Sequence, residues 1–182
     1  LVHSRDGRSW QRCEDRTPVI ACGPHDYDAG CILGVANQPV WAGDEMWVYY
    51  TAINTTHGGP MPPKEVTVGR ASWVRDRWVS LDAGEAGGSV ETRPVILAGE
   101  TIAVNADASE GEVRVEVADA VGVPLPGYEA VSCRPIRGDQ VRHPVRWEAR
   151  AHAPTDRLVR LRFHLLRSRL YGWSAHGVSE DL

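Results

Sequence analysis

The strongest constraint on this chain is a two-residue alternation of apolar and polar side chains. "EVRVEVAD" (112–119) sets Val113, Val115 and Val117 on one side of an extended backbone and Arg114 and Glu116 on the other. "DRLVRLRFHLL" (156–166) repeats the device, with Val159, Leu161, Phe163 and Leu165 inward and Arg160, Arg162 and His164 outward. A helix would scatter those apolar residues around its circumference, whereas a half-buried strand gathers them on one face. Turn formers recur about every 8 to 12 residues, and no long helical pattern competes, so the expected class is all-β and antiparallel.

Two hairpins are expected early in the chain. "QPVWA" (38–42) enters "MWVYYTAI" (46–53) through Gly43-Asp44-Glu45, a short turn between residues that favour strands. "KEVTVGRASW" (64–73) is expected to fold back through Arg75-Asp76 onto "RWVSLDAG" (77–84). After Gly88 the strands read shorter and more even, with "SVETRPVIL" (89–97), "TIAVNADA" (101–108) and "EVRVEVAD" as separate members. The domain expectation is therefore 1–79 followed by 80–182, the second a β-sandwich of two packed sheets. The first carries large rings at Trp41, Trp47, Tyr49, Tyr50, Trp73 and Trp78, expected to be exposed and in need of a neighbour.

Charge and motifs remove several classes of function. The formal net charge is -4, and Lys64 is the only lysine, so nothing forms the basic field that nucleic acid requires. No apolar run approaches the roughly 20 residues of a membrane-spanning helix, so a soluble chain with no membrane partner is expected, its compartment open. Cys13, Cys22, Cys31 and Cys133 are spaced too widely for a zinc knuckle or redox pair, so no metal site is expected; Cys13, Cys22 and Cys31 share one loop-rich segment that allows a local disulfide in an exported protein, with buried free thiols the favoured alternative. The nucleophile elbow, the P-loop, the dinucleotide-binding glycine pattern and the zinc-protease helix motif are all missing, and no cofactor is expected.

"HSRDGRSW" (3–10) opens the chain with a tight corner: Ser4 and Asp6 bend the backbone, Gly7 permits a positive φ, and Trp10 is expected to cover the turn. It is followed by "DYDAG" (26–30), "GDEMWVYYTA" (43–52), "TTHGG" (55–59), "VGRASWVRDRWVSLDAG" (68–84), "VNADASEGEVRVEVADAVGVPLPGY" (104–128), "GDQVRHPVRW" (138–147) and "VRLRFHLLRSRLYGW" (159–173). In this order the whole chain resembles the C-terminal part of the five-bladed β-propeller glycosidases of family 32 and its family 43 relatives. The resemblance implies a fold of about one propeller blade followed by a β-sandwich. It also implies an Asp-box-like structural role for Ser4, Asp6 and Trp10, and a parent that hydrolyses glycosidic bonds. The aspartate nucleophile motif of the early blades has no counterpart here, so this chain alone is expected to be inactive. The partners implied are carbohydrate and either the N-terminal blades of the parent or a second copy of the chain. A non-catalytic carbohydrate-binding or structural β-sandwich module is the alternative.

Glycosidases work with two carboxyl groups flanking the scissile bond. Asp28, just before a blade strand, is the candidate for a supporting catalytic role, against the alternative of an Asp-x-Asp-x-Gly turn that bonds its own backbone. Asp26 beside it, His57 in the loop after the aromatic strand, and Trp41 and Trp73 near loops are the candidates for substrate binding. His25 is a weaker one. Asp44 and Glu45 read as a solvated hairpin tip. Asp107 and Asp139 read as turn acids that, with Asn105, line at most a shallow sugar or cation site. Trp47, Trp147 and Trp173 alternate with polar neighbours and are expected to pack between layers.

Overall fold

A computed structural model describes residues 1–176. Among the described residues twelve strands and two short 3-10 turns form an all-β fold with antiparallel strand pairings. The chain divides into two compact units, Leu1–Trp73 and Val74–Leu182.

Unit 1 begins with a two-stranded ribbon, β1 (Val2–Ser4) and β2 (Trp10–Arg12), in the register Val2↔Arg12 to Ser4↔Trp10. Its corner is held by side chains. Ser4 Oγ accepts from Gly7 N–H at 2.9 Å, and Asp6 Oδ1 accepts from the backbone of Arg8 (2.8 Å) and Ser9 (2.7 Å). Those donors, Ser9 and Arg8 first, hold the Asp6 carboxyl well below the usual carboxylate range. Gly7 has φ +69°, the left-handed conformation expected of it. Trp10 departs from expectation: it is 62% exposed on a two-stranded ribbon. A ribbon that small has no second layer on which an indole can be buried.

The larger sheet of unit 1 centres on β5 (Glu45–Ile53). β3 (Cys31–Val35) and β4 (Val40–Ala42) lie one after the other along one edge of β5, and β6 (Val66–Val74) takes the other edge. The expected hairpin from β4 to β5 is present, closing at Ala42↔Glu45 with Gly43 at φ +61°. Met46, Val48, Tyr50 and Ala52 are buried along one face. Tyr50 was expected to be exposed; the two-residue period carries it inward with Met46 and Val48.

Unit 2 is one six-stranded sheet, nearly closed on itself. Its strands are β7 (Leu81–Ala83), β8 (Gly88–Glu91), β9 (Thr101–Asp119), β10 (Ile136–Pro144), β11 (Val159–Leu166) and β12 (Ser168–His176). β9 is the spine. Its first half pairs with β12 and β10, and its second half with β11. β11 and β12 are separated only by Arg167, so together they form one long partner running antiparallel to β9. β8 then pairs with β11 and β7 with β12.

The ribbon of β9 against β11 and β12 bends in its middle. Leu166 pairs with Glu112 and Arg169 with Asp107, so residues 108–111 of β9 lie opposite only 167 and 168. That mismatch is a bulge, and it kinks the bulged strand. Arg167 takes φ +41° there, and a Cβ on Gly111 would stand 1.9 Å from the Leu166 carbonyl oxygen. The inward positions change phase at the same place. On β9 they run Ile102, Val104, Ala106 and Ala108, then Val113, Val115 and Val117; on the partner they run Val159, Leu161, Phe163 and Leu165, then Ser168 and Leu170. Both strands switch parity together, so the apolar face stays inside the bend.

Three expectations are corrected here. Residues 101–108 and 112–119 are one strand rather than two, because Ser109–Gly111 forms a bulge and not a turn. The two layers expected of a sandwich are therefore joined in one hydrogen-bonded sheet. The second early hairpin does not form: the chain turns at Asp76 (φ +58°), but β7 pairs with β12 and not with β6. Arg77 explains this. Its guanidinium bonds Asn105 Oδ1 (2.8 Å), pairs with Asp139 and lies 4.5 Å over the Tyr171 ring, which ties the segment after the turn to β9, β10 and β12.

The outer face over β8, β11 and β9 is an ion-pair ladder. Glu91 receives Arg160 at 2.9 Å and Arg162 at 2.6 Å, Arg162 also reaches Glu116, and Glu112 bridges Arg114 and Arg137 at 2.8 Å each. Among them, Arg114, Glu116, Arg160 and Arg162 are residues whose outward placement the alternation predicts.

Candidate functional site

Asp28 ends a 3-10 turn, Asp26–Asp28, and is buried, 2% exposed. Burial of a carboxylate requires donors, and two are present: His25 N–H gives to Oδ1 at 3.2 Å and the Tyr50 hydroxyl to Oδ2 at 2.8 Å. The backbone closes the turn as well, through Gly23 N–H to Asp28 O at 2.9 Å. Tyr50 reaches Asp28 because Gly69 on β6 has no side chain; a Cβ there would stand 2.3 Å from the Tyr50 ring. Burial first, and then the bond to Asp28, push the Tyr50 phenol well above its usual range. The pair is therefore a protonated donor on a carboxylate acceptor. That arrangement fastens a turn to a sheet.

The other candidates lie around this pair in different settings. Asp26 is exposed on the same 3-10 turn, and His25 stacks on Tyr27 with centroids 5.3 Å apart. His57 is exposed in the loop after β5, and its carbonyl accepts from Lys64 Nζ. Trp41 pairs with Met46 across β4 and β5, and so points to the Met46 and Tyr50 face. Trp73 falls on that face too, two steps of alternation from Gly69. Trp47 lies on the opposite face, where Glu45 accepts its Nε1–H at 2.7 Å and Arg70 covers its ring at 4.5 Å. The acid at the hairpin tip thus serves a neighbouring ring.

In unit 2 the weaker candidates are occupied by the fold. Asp107 accepts from Ser109 inside the β9 bulge, Asp139 pairs with Arg77, and Asn105 is buried between Arg77 and the Arg75 carbonyl. Trp147 packs as expected, edge-on to Tyr128 and donating Nε1–H to Val115 O at 2.8 Å. Trp173 does not. It is 36% exposed and borders a cavity of about 320 Å³, with Phe163 6.4 Å behind it.

No family model, curated protein or solved structure matches this chain. Among the described residues no three His, Cys, Asp or Glu side chains are grouped to hold a metal, and no helix is long and apolar enough to cross a membrane.

Tyr50, Gly69 and Trp173 were not among the candidates. Tyr50 was detectable by counting in twos from Met46, and Gly69 as the position without a side chain in the series Thr67, Gly69, Ala71, Trp73. Trp173 had no such signal, because the register shift in β12 between Leu170 and Gly172 changes which side its ring takes.

Proposed function

We propose that this chain is the last-blade and β-domain portion of a glycoside hydrolase resembling families 32 and 43, and that it supports glycan hydrolysis without performing it. In this reading unit 1 is about one blade of a propeller. Unit 2 is the sandwich, with its two layers made from one bent sheet. The partners are carbohydrate and the N-terminal blades of the parent or a second copy of the chain.

One observation carries the non-catalytic part of the reading: both carboxylate oxygens of Asp28 already accept hydrogen bonds, in a buried site. A glycosidase needs one carboxyl that can donate a proton and a second about 5 to 9.5 Å away that can attack or activate water. Asp28, held by His25 and Tyr50, fits neither office. The corner at Ser4 and Asp6 supports the blade reading, since its side-chain bonds are those the resemblance implies.

Incubating the purified chain with aryl fructosides, arabinosides and mannosides tests the assignment. No sugar release is expected. Turnover that disappears in Asp28→Asn would overturn it. Reading the coding frame upstream of Leu1 tests the parent: blades bearing a pair of carboxylates are expected, and a start codon directly before Leu1 would refute the reading.

A second reading, a module that binds glycan without belonging to a hydrolase, is favoured by one feature, the ring-lined cavity beside Trp173.

A further inference from the structure

We infer that a hollow on the outer face of unit 2 binds a phosphate group; the inference is independent of the carbohydrate reading. Trp173 pairs with Val104, which faces the core, so Gly172, Ser174 and His176 on β12 take the opposite face, as Ala103 and Asn105 do on β9. There they share a hollow of about 280 Å³ with Arg142 of β10 and the turn Arg75-Asp76. β10 and β12 flank the first half of β9 on its two edges, so Arg142 and His176 approach from different strands, and the turn supplies a third wall. Gly172 gives the hollow depth, since a Cβ there would meet nothing within 4 Å.

The polar side chains gathered there are chiefly donors. A guanidinium has five N–H groups and no acceptor, an imidazole has an N–H in either neutral tautomer, and the Ser174 hydroxyl donates as well. Asn105 fixes the base of one arm, its amide donating to the Arg75 carbonyl at 2.9 Å. Both arginines also have partners within the chain, among them Asp76 at 3.7 Å from Arg75 Nε, and five donors exceed what one carboxylate accepts. Two guanidiniums against the one Asp76 carboxylate leave the hollow positive in a chain whose net charge is -4. Donors from three elements around one centre suit the oxygens of a tetrahedral anion, whereas the two coplanar oxygens of a carboxylate meet one fork at a time. Inorganic phosphate and the phosphate monoester of a small molecule share that chemistry.

The site is tested by isothermal titration of the full chain with inorganic phosphate, glucose 6-phosphate, glucose and acetate in a low-salt bis-tris buffer. Saturable one-to-one binding of phosphate or its ester is expected. Tighter binding of the ester would put its body in the hollow, and equal binding would assign the site to the phosphate alone; both uphold the shared chemistry. Arg142→Gln, at an exposed position, and Gly172→Val, which fills the hollow, should each weaken binding about tenfold or more, with an unchanged near-UV spectrum verifying the fold. Arg12→Gln, on the exposed ribbon of unit 1, should bind as the unaltered chain does. Phosphate binding that survives both Arg142→Gln and Gly172→Val would overturn the site, as would acetate or glucose bound as tightly as phosphate, or no heat from either phosphate. Each of these results leaves the hydrolase and binding-module readings to their own tests.

Discussion

Removing the Tyr50 hydroxyl leaves Asp28 Oδ2 without its donor inside unit 1. Tyr50→Phe is therefore expected to cost about 1 to 3 kcal/mol in urea unfolding, the penalty for an unsatisfied buried acceptor. Gly69→Ala should destabilise through the same ring, because its Cβ would meet Tyr50 at 2.3 Å and the ring would have to leave Asp28. The phenol has a pH signature. Its folded pKa lies above the ordinary phenol value of 10.0, so its contribution is complete below pH 10 and declines as pH rises toward the folded value. Stability measured at pH 9 and 11 should fall in the parent, and the fall should be smaller in Tyr50→Phe. At this scale the sequence told the place of Asp28 in a turn but not its partner. The partner lies 22 positions away and depends on a glycine of a third strand, a coincidence that no local pattern encodes.

The bent ribbon decides most of what happens at the scale of the element. Gly111→Ala should cost about 2 to 3 kcal/mol by thermal or chemical unfolding, since the new methyl group points into the Leu166 carbonyl and neither strand can retreat without losing its ladder. The ion-pair ladder gives an acid limb. Bonds from Arg162 lower the pKa of Glu91, and bonds from Arg114 and then Arg137 lower that of Glu112. Both carboxylates therefore contribute fully above the ordinary glutamate value of 4.5 and lose that contribution as pH falls through the depressed values. Arg162→Met should raise the acid midpoint of unfolding, followed by circular dichroism. Strand existence and facing were legible in "EVRVEVAD" and "DRLVRLRFHLL" because period two depends only on neighbours. Pairing was not: the turn at Arg75-Asp76 reads as a hairpin until Arg77 is seen to bond Asn105 and Asp139. The bulge at 108–111 reads as a turn until its partner is known, since both signals are the same small and polar residues.

For the whole molecule, an all-β chain in two units is what turn spacing and a change of strand style imply, and both come from composition along the chain. The joining of two expected layers into one sheet is a property of long-range pairing and left no mark in the local pattern. Hydrogen exchange should reveal the hierarchy that results. Amides of β9 and β11, buried behind Val113, Val115, Val159 and Leu161, should exchange last, and those of β1 and β2, with Trp10 exposed, should exchange first. Equal protection in the two places would contradict the account of unit 2 as the better-packed core.

The shared parity switch of β9 and its partner also bears on synthesis. A ribosome delivers Ile102 to Val117 well before Val159 to Leu170, so the inward face of β9 waits, bare, for strands not yet made. β10, and the segment 123–128 that bonds Val117 and Asp119, arrive early enough to guard part of its edges. A message truncated before Val159 would thus yield a sticky intermediate rather than a smaller domain, and a nascent chain paused there is where a chaperone would find its substrate.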